Sequence, residues 1–392
     1  MASGGVRRSL LTAAGVLTLI VAGTSVAGAS TGTGAGAGWR ITGTVGAKAD
    51  FTETDGLVAV AANDAFADWS GCAPTCPKGN TFTVGHWNGS SWRDLPWPQS
   101  LHHYESAINI AGAMGASSAS DLWLLEANDA RTGVIRWNGK SWSVSALPPW
   151  AIRINGSGDY AVTPVVAGPS SGWLFSLGYL AGKTPTYAAR EIHGKWFKAN
   201  LGAVIVGGVV AYGANDIWLT VTKGDLQEAH PKYFFMHWNG KNWSTQAAPT
   251  VSVPHNGSAF ADVVAATGTT DLWALISVVV GTNPATEHLM HWNGRSWARV
   301  GLPGETDFIG NFARDGHGGL WAAGQGKSLS SWYFFHYSGG HWSKVLAPVR
   351  AGTTTETISE LVQVPGTAVM LAGGALTIPS KGSVGVSWQY GQ

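Results

Sequence analysis

GANDIWLT at 213–220 and HWNGKNW at 237–243 are two short phrases that the chain repeats, with small changes, along most of its length. The second returns as HWNGSSW (86–92), RWNGKSW (136–142), HWNGRSW (291–297) and HYSGGHW (336–342), and one residue shorter as EIHGKW (191–196). The first returns as SSASDLWLL (117–125), PSSGWLF (169–175), GTTDLWAL (268–275) and GHGGLWAA (316–323). The closing Trp of the second phrase falls at 92, 142, 196, 243, 297 and 342, which gives spacings of 50, 54, 47, 54 and 45 residues. Periods of about 40 to 50 residues belong to propeller blades or solenoid repeats.

The content of each unit decides between them. Turn residues run into short apolar stretches rich in small and β-branched side chains, such as AVIVGGVVAYGA (203–214), and no helical periodicity appears. Each unit reads as four short strands. The inner one is rich in Gly, Ala and Val, the second is opened by Asp/Gly-Leu-Trp, the third ends in Trp-Asn-Gly, and the fourth begins Ser-Trp. That is the anatomy of one propeller blade. The Asn-Gly pairs predict a type I′ turn between strands three and four, because both residues accept positive φ. A two-residue loop would set Trp137 opposite Lys140, and a four-residue loop would set it opposite Trp142.

Counting gives the blade number. A seventh fourth-strand Trp is due near residue 392, where the sequence stops after SWQYG (387–391), while GWRITGTV (38–45) at the other end reads as a fourth strand. An N-terminal strand completing the last blade would close the ring. The expected fold is therefore an all-β, seven-bladed propeller over 39–392, about 51 residues per blade, with six blades as the fallback.

Outside the repeat, Arg7 and Arg8, the apolar stretch from Leu10 to Ala22 and the small residues Ala27-Gly28-Ala29 predict a signal peptide over 1–29. The pair of arginines also fits twin-arginine export, and residues 30–38 read as a flexible linker. No later apolar run approaches eighteen residues, so the expected mature protein is soluble, secreted, monomeric and without a membrane anchor. Cys72 and Cys76 lie four apart in a Pro/Gly-rich stretch and are expected to form one local disulfide.

Composition removes several functions. The 24 basic and 23 acidic residues leave a formal charge of +1 with no basic run, so a nucleic-acid partner is not expected. A hydrophobic fraction of 45% is that of a chain with a large core and not of a disordered one. The 54 glycines lack a three-residue period, which excludes collagen and indicates many turns.

The repeated units resemble secreted bacterial β-propellers of the Asp-box and kelch or galactose-oxidase type. The resemblance is one of architecture. The Asn of each copy stands where an Asp box has Asp, one residue too close to the Trp, and no catalytic motif of these families matches, so no activity is carried over.

Function in such a ring is expected on the face that gathers the strand-four-to-one and strand-two-to-three loops. Eighteen of the 21 tryptophans fit the repeat, and Trp69, Trp97 and Trp150 do not. Loop indoles on that face read as sugar-stacking platforms or protein hot spots; the plainer reading has Trp97 and Trp150 capping the blade edge. The polar constellation is His102, His103, Tyr104 and Glu105, with His255, Arg153 and Asp307 on further loops. Imidazole suits metals and acid/base chemistry, but adjacent loop histidines are more often solvated, and neither a metal nor a cofactor is expected. His86, His237, His291 and His336 recur at one repeat position and read as scaffold.

A glycosidase needs two carboxylates about 5 to 10 Å apart, and Glu105, Glu305, Asp307 and Glu356 are the acids placed near the channel mouth. A sialidase-like site would need three arginines, of which Arg153 and Arg350 supply two. The sequence thus favours an extracellular binding propeller whose partner is a glycan or protein. The alternatives are a polysaccharide hydrolase or lyase, and a structural or protein-docking ring.

Overall fold

The computed structural model describes residues 38–45, 53–71, 81–98, 101, 114–128, 131–148, 150, 161–168, 171–177, 186–213, 215–223, 232–267, 269–304, 306–327, 331–379 and 382–391. Its strands begin with β1 (Arg40–Val45). Blade one is β2 (Glu53–Ala61), β3 (Asp64–Gly71), β4 (Thr81–Trp87) and β5 (Trp92–Asp94). Blade two is β6 (Met114–Ser118), β7 (Asp121–Asn128), β8 (Arg131–Trp137) and β9 (Trp142–Ala146). Blade three is β10 (Ala161–Gly168), β11 (Ser171–Leu177), β12 (Thr186–Ile192) and β13 (Lys195–Gly202). Blade four follows as β14 (Ile205–Ala211), β15 (Ile217–Lys223), β16 (Lys232–Trp238) and β17 (Trp243–Ala247). Blade five is β18 (Gly257–Thr267), β19 (Asp271–Val280), β20 (Thr286–Trp292) and β21 (Trp297–Val300). Blade six is β22 (Thr306–Arg314), β23 (Leu320–Gly326), β24 (Trp332–Ser338) and β25 (His341–Leu346). The last three strands are β26 (Thr355–Gln363), β27 (Met370–Ile378) and β28 (Gly382–Tyr390).

These strands form seven four-stranded antiparallel sheets, a seven-bladed propeller. Six sheets take their strands in chain order, and the seventh has the order β26-β27-β28-β1, with Arg40 opposite Gln389 and Val45 opposite Gly385. The first strand of each sheet is innermost. Most neighbouring inner strands touch one another, while β14 rests on β11. Connections from strand four to strand one and from two to three emerge on one side of the ring, the loop face. Those from one to two and from three to four emerge on the other, the hairpin face.

A flat sheet buries each of its sides only against another sheet, so the apolar core is split among the blade junctions. Blades one and two enclose Phe66, Phe82, Leu122 and Ile135; blades four and five enclose Trp218, Phe235, Leu272 and Ile276. Blades six and seven enclose Trp321, Phe334 and Trp388 together with Trp39, whose ring stacks on Phe334 at 3.6 Å between centroids. Indole N–H groups also tie blades together at their outer strands. Trp142 donates to the Pro96 carbonyl at 2.9 Å, Trp297 to Ala247 at 3.0 Å and Trp342 to Gly301 at 2.6 Å, each reaching the end of the preceding blade. Each such bond satisfies a donor that an apolar junction would otherwise leave dry.

The hairpins correct the expected turn. Trp87 faces Trp92, Trp137 faces Trp142, Trp238 faces Trp243 and Trp292 faces Trp297, so the Asn-Gly loops have four residues. Positive φ is confined to the glycines, near +90° at Gly89, Gly139, Gly240 and Gly294, and the asparagines do not share it. The Asn side chain caps the loop instead: Asn138 Oδ1 accepts the N–H groups of Lys140 at 3.0 Å and Ser141 at 2.9 Å. This Asx geometry competes with the I′ turn and wins because two backbone donors are satisfied by one carbonyl. The two-residue turn with positive φ at both positions occurs in blade three at His193 and Gly194, and in blade six at Gly339 and Gly340.

Trp69 also departs from its expected place. It lies in β3, fully buried, edge-on to Trp92, in the core between blades one and seven. Its ring fills the space above Gly385 of β28, where any Cβ would collide with it. Phe66 holds the aromatic position that Trp occupies in other second strands, so the indole three residues later stood outside the repeat pattern.

Candidate functional site

On the hairpin face polar side chains recur from blade to blade. His86 binds Asp64, His237 binds Asp216, His291 binds Asp271 and His336 binds Asp315, all through Nε2 at 2.7–2.9 Å. Each imidazole also stacks on the aromatic ring of the second strand, Phe66, Trp218, Trp273 or Trp321, at 4.1–4.7 Å between centroids. In blade two Arg136 takes the His position, lies over Trp123 at 4.1 Å and pairs with Glu191 of blade three, where Arg190 takes the His position and lies 5.0 Å over Trp173. Burial alone would raise the pKa of Asp315. Hydrogen bonds from His336 and the N–H groups of His317 and Gly319 outweigh it and hold the carboxyl below its ordinary value. The expectation that the repeated histidines serve the scaffold matches this arrangement.

The loop face carries groups that occur once. Phe308, the third residue of the inner strand β22, is 44% exposed, next to the exposed Asp307 and the buried Ile309. Its ring folds along the strand over Gly310, with Cζ 2.8 Å from where a Cβ at Gly310 would stand. The Trp332 ring meets it edge-on at 5.9 Å between centroids. The Trp332 backbone N–H in turn donates to Glu356 Oε1 of β26 at 3.1 Å, across the junction of blades six and seven. Burial raises the pKa of Glu356 above the usual carboxylate value, against the opposing pull of that N–H. Gln325 pairs with both Phe308 and Trp332 across the sheet, which places its amide on the same face of the blade.

Just below the platform the inner strand is bulged. The ladder with β23 skips Asn311 and Phe312, Asn311 has φ +50°, and its Nδ2 donates to the Ile358 carbonyl of blade seven at 2.8 Å. Bulges and left-handed non-Gly residues concentrate at sites where a side chain has to be re-aimed.

Blade five supplies a second set. Asp262, half-buried on the inner strand β18, places Oδ1 against the inner strand of blade four, where a Cβ at Gly208 would come within 3.2 Å. Glu287, the second residue of β20, accepts the Ser277 hydroxyl at 2.7 Å. Burial, and then the charge of Glu287, push the Asp262 pKa up to about 7, and burial raises that of Glu287 against the Ser277 bond.

The hairpin-face end of the inner strands is bridged. Arg314, the last residue of β22, lies 3.4 Å over the Tyr212 ring of blade four, donates through Nε to Gln363 of blade seven at 2.8 Å and through Nη1 to the Ala266 carbonyl of blade five at 3.4 Å. Tyr212 Oη accepts the Ala266 N–H at 2.9 Å. Burial pushes the Tyr212 pKa up to about 12 against that hydrogen bond.

The expected site residues divide into three groups. His255 and Asp307 are exposed on the loop face, His255 just before β18 and Asp307 at the start of β22. Trp97 and Trp150 are half-buried where blades meet. Trp97 packs edge-on against Phe82 and Trp142 and donates its indole N–H to the Leu101 carbonyl at 3.3 Å. Trp150 packs against the core shared by blades two and three, with Lys198 Nζ 5.2 Å from its ring. Both occupy the blade-edge position of the plainer sequence reading. His102, His103, Tyr104, Glu105, Arg153 and Glu305, and the disulfide expected between Cys72 and Cys76, lie outside the described residues.

Phe308, Asp262 and Glu287 were not picked out from the sequence. Phe308 ends the loop segment LPGETDF (302–308), where only its failure to recur could have marked it.

No protein-family model matches the sequence, and neither does any curated protein. Among solved structures, the chain is similar to the polysaccharide lyase Uly1 at 9% identity and a TM-score of 0.52, covering 88% of this chain and 98% of that one. The β-propeller domain of the Trilobed protease from Pyrococcus furiosus aligns at 10% identity and a TM-score of 0.48, over 87% and 94% of the two chains. The oligogalacturonate lyase of Vibrio parahaemolyticus aligns at 8% identity and a TM-score of 0.49, over 90% and 96%. At these identities the likeness is one of fold.

Proposed function

We propose that the protein is an exported propeller that binds a saccharide at the loop-face mouth of its channel, on blades six and seven. The observation that carries this reading is Phe308, an exposed aromatic ring laid over a glycine on an inner strand beside the half-buried Glu356 and the Gln325 amide. A ring face takes the C–H side of a sugar, while a carboxylate and an amide exchange hydrogen bonds with its hydroxyls; a few such polar groups beside an aromatic surface are what small-ligand sites share. The lyase fold likeness is compatible with this reading. Export rests on the segment 1–29.

A glycan array probed with the mature protein tests it. Binding should be found, and Phe308→Ala should weaken it by about 1 to 3 kcal/mol, with a smaller loss for Glu356→Gln. Retained binding in Phe308→Ala would move the site elsewhere.

A second reading, hydrolysis, has its own support in Asp262 and Glu287. Two carboxyls whose ionisation is coupled can divide the roles of acid and base, the one of higher pKa remaining protonated near neutrality. Release of reducing ends from a bound polysaccharide, declining as pH rises through about 7 and abolished in Asp262→Asn, would establish it. Binding without such release leaves the ring a binding protein.

A further inference from the structure

We infer that the mouth site holds the terminal residue of a saccharide chain, standing inside the channel, and not an internal stretch lying across the loop face. The inference rests on the saccharide reading of Phe308. It uses two further pieces of geometry.

The first is the direction of the platform. A ring that projected upward from the loops would offer its face to a polymer lying over the rim. Phe308 instead folds down the innermost strand, over Gly310, and Trp332, two strands out in the same sheet, closes its outer side. Its open surface therefore runs along the channel wall, and a sugar stacked on it enters the channel.

The second is the far end. Tyr212, Ala266, Arg314 and Gln363 sit where the inner strands of blades four, five, six and seven end. Arg314 of blade six and Tyr212 of blade four meet over the end of the blade-five inner strand, where both bond the Ala266 backbone. The guanidinium is held there on three sides, by the Tyr212 ring, the Ala266 carbonyl and the Gln363 amide. The bridge stands at the foot of the same wall, so a chain that runs down the blade-six strand from Phe308 meets it with its end.

Saturation-transfer NMR with defined probes tests this. The probes are methyl glycosides of the common hexoses, deoxyhexoses, pentoses and N-acetylhexosamines, their linear oligomers of two to six residues, and cyclic glucans, which have no ends. A methyl glycoside is expected to bind within about tenfold of its longest linear oligomer, with cyclic forms not binding. Phe308→Ala should cost tenfold or more. Gly310→Val, which fills the seat of the ring, should do the same, and Phe308→Leu serves if that variant does not fold. Affinity that climbs steadily to the hexamer, or a cyclic glucan binding as well as its linear counterpart, overturns end recognition while the saccharide reading stands. Absence of binding by every probe, with a wild type shown to be folded by its melting transition, overturns the saccharide reading and this inference together.

Discussion

The two faces of the ring are built from the same strands, yet they hold polar and aromatic groups in different ways. On the hairpin face an imidazole, a carboxylate and an aromatic ring come together in blades one, four, five and six, at nearly the same distances each time. On the loop face Phe308, Glu356, Asp262 and Glu287 each occur once, and three of them are acids whose pKa burial has raised. A repeated cluster answers a need that every blade has, to satisfy the polar ends of strands packed on aromatic rings. A singular cluster meets no such need, and raised carboxyl pKa values mean that the fold tolerates buried charge there at a cost in stability. The contrast separates what holds the ring from what the ring can hold.

Removing residues 1–45 should produce the largest effect. It takes away the outermost strand of the seventh sheet and the Trp39 ring stacked on Phe334, and should cost more than the about 3 to 5 kcal/mol of one buried Trp. Denaturant unfolding measures it, and an unchanged midpoint would mean that β1 contributes nothing to the ring. Next comes Trp273→Ala on the hairpin side, a buried aromatic carrying the His291 ring, with an expected loss of about 3 to 5 kcal/mol in the same assay. Trp97→Ala should fall below it, about 2 kcal/mol, because the indole is only half-buried between blades one and two.

Titration sets the faces against each other by sign. The folded pKa of Asp315 is depressed, so its contribution to stability is present above the unfolded value of about 4 and is lost as pH falls through the lower folded value. Asp315→Asn should therefore be less stable than wild type near pH 7, with the gap closing in acid. The folded pKa of Asp262 is raised to about 7, so its contribution is present below about 4 and lost as pH rises toward 7. Asp262→Asn should gain on wild type over that interval. Parallel melting curves from pH 3 to about 8 decide both, and equal slopes for the two variants would erase the distinction between the faces. The smallest effect is expected for Phe308→Ala, within about 0.5 kcal/mol of wild-type stability, since an exposed side chain away from the core contributes little to folding. A loss comparable to that of Trp273→Ala would return Phe308 to the scaffold.

Much of the scaffold was legible because it repeats. The second-strand tryptophans 123, 173, 218, 273 and 321 all lie on second strands and are buried. The sequence leaves two registers for Trp137, and the structure takes the four-residue loop. The expected turn type fails at Asn138 because φ preferences describe a residue's backbone alone, whereas its side-chain carbonyl gains two hydrogen bonds from the loop itself. Trp69 was misplaced because blade one has Phe66 at the repeat's aromatic position. Phe308 and Asp262 could not be recognised from spacing, since apart from Gly310 their surroundings come from Trp332, Glu356 and Gly208, on other strands or other blades.

From sequence alone, then, came the period, the four strands of each unit, the blade count and the scaffold role of the recurring His residues, because a repeat is a local pattern and each blade's pattern is complete within about 50 residues. Only the tertiary structure decided which singular residues face a common space. Asp262 lies 54 residues beyond Gly208, and Glu356 lies 24 beyond Trp332. Their environments, and with them the raised carboxyl pKa values, arise from closure of the ring, which brings the inner strands of separate blades together around one channel.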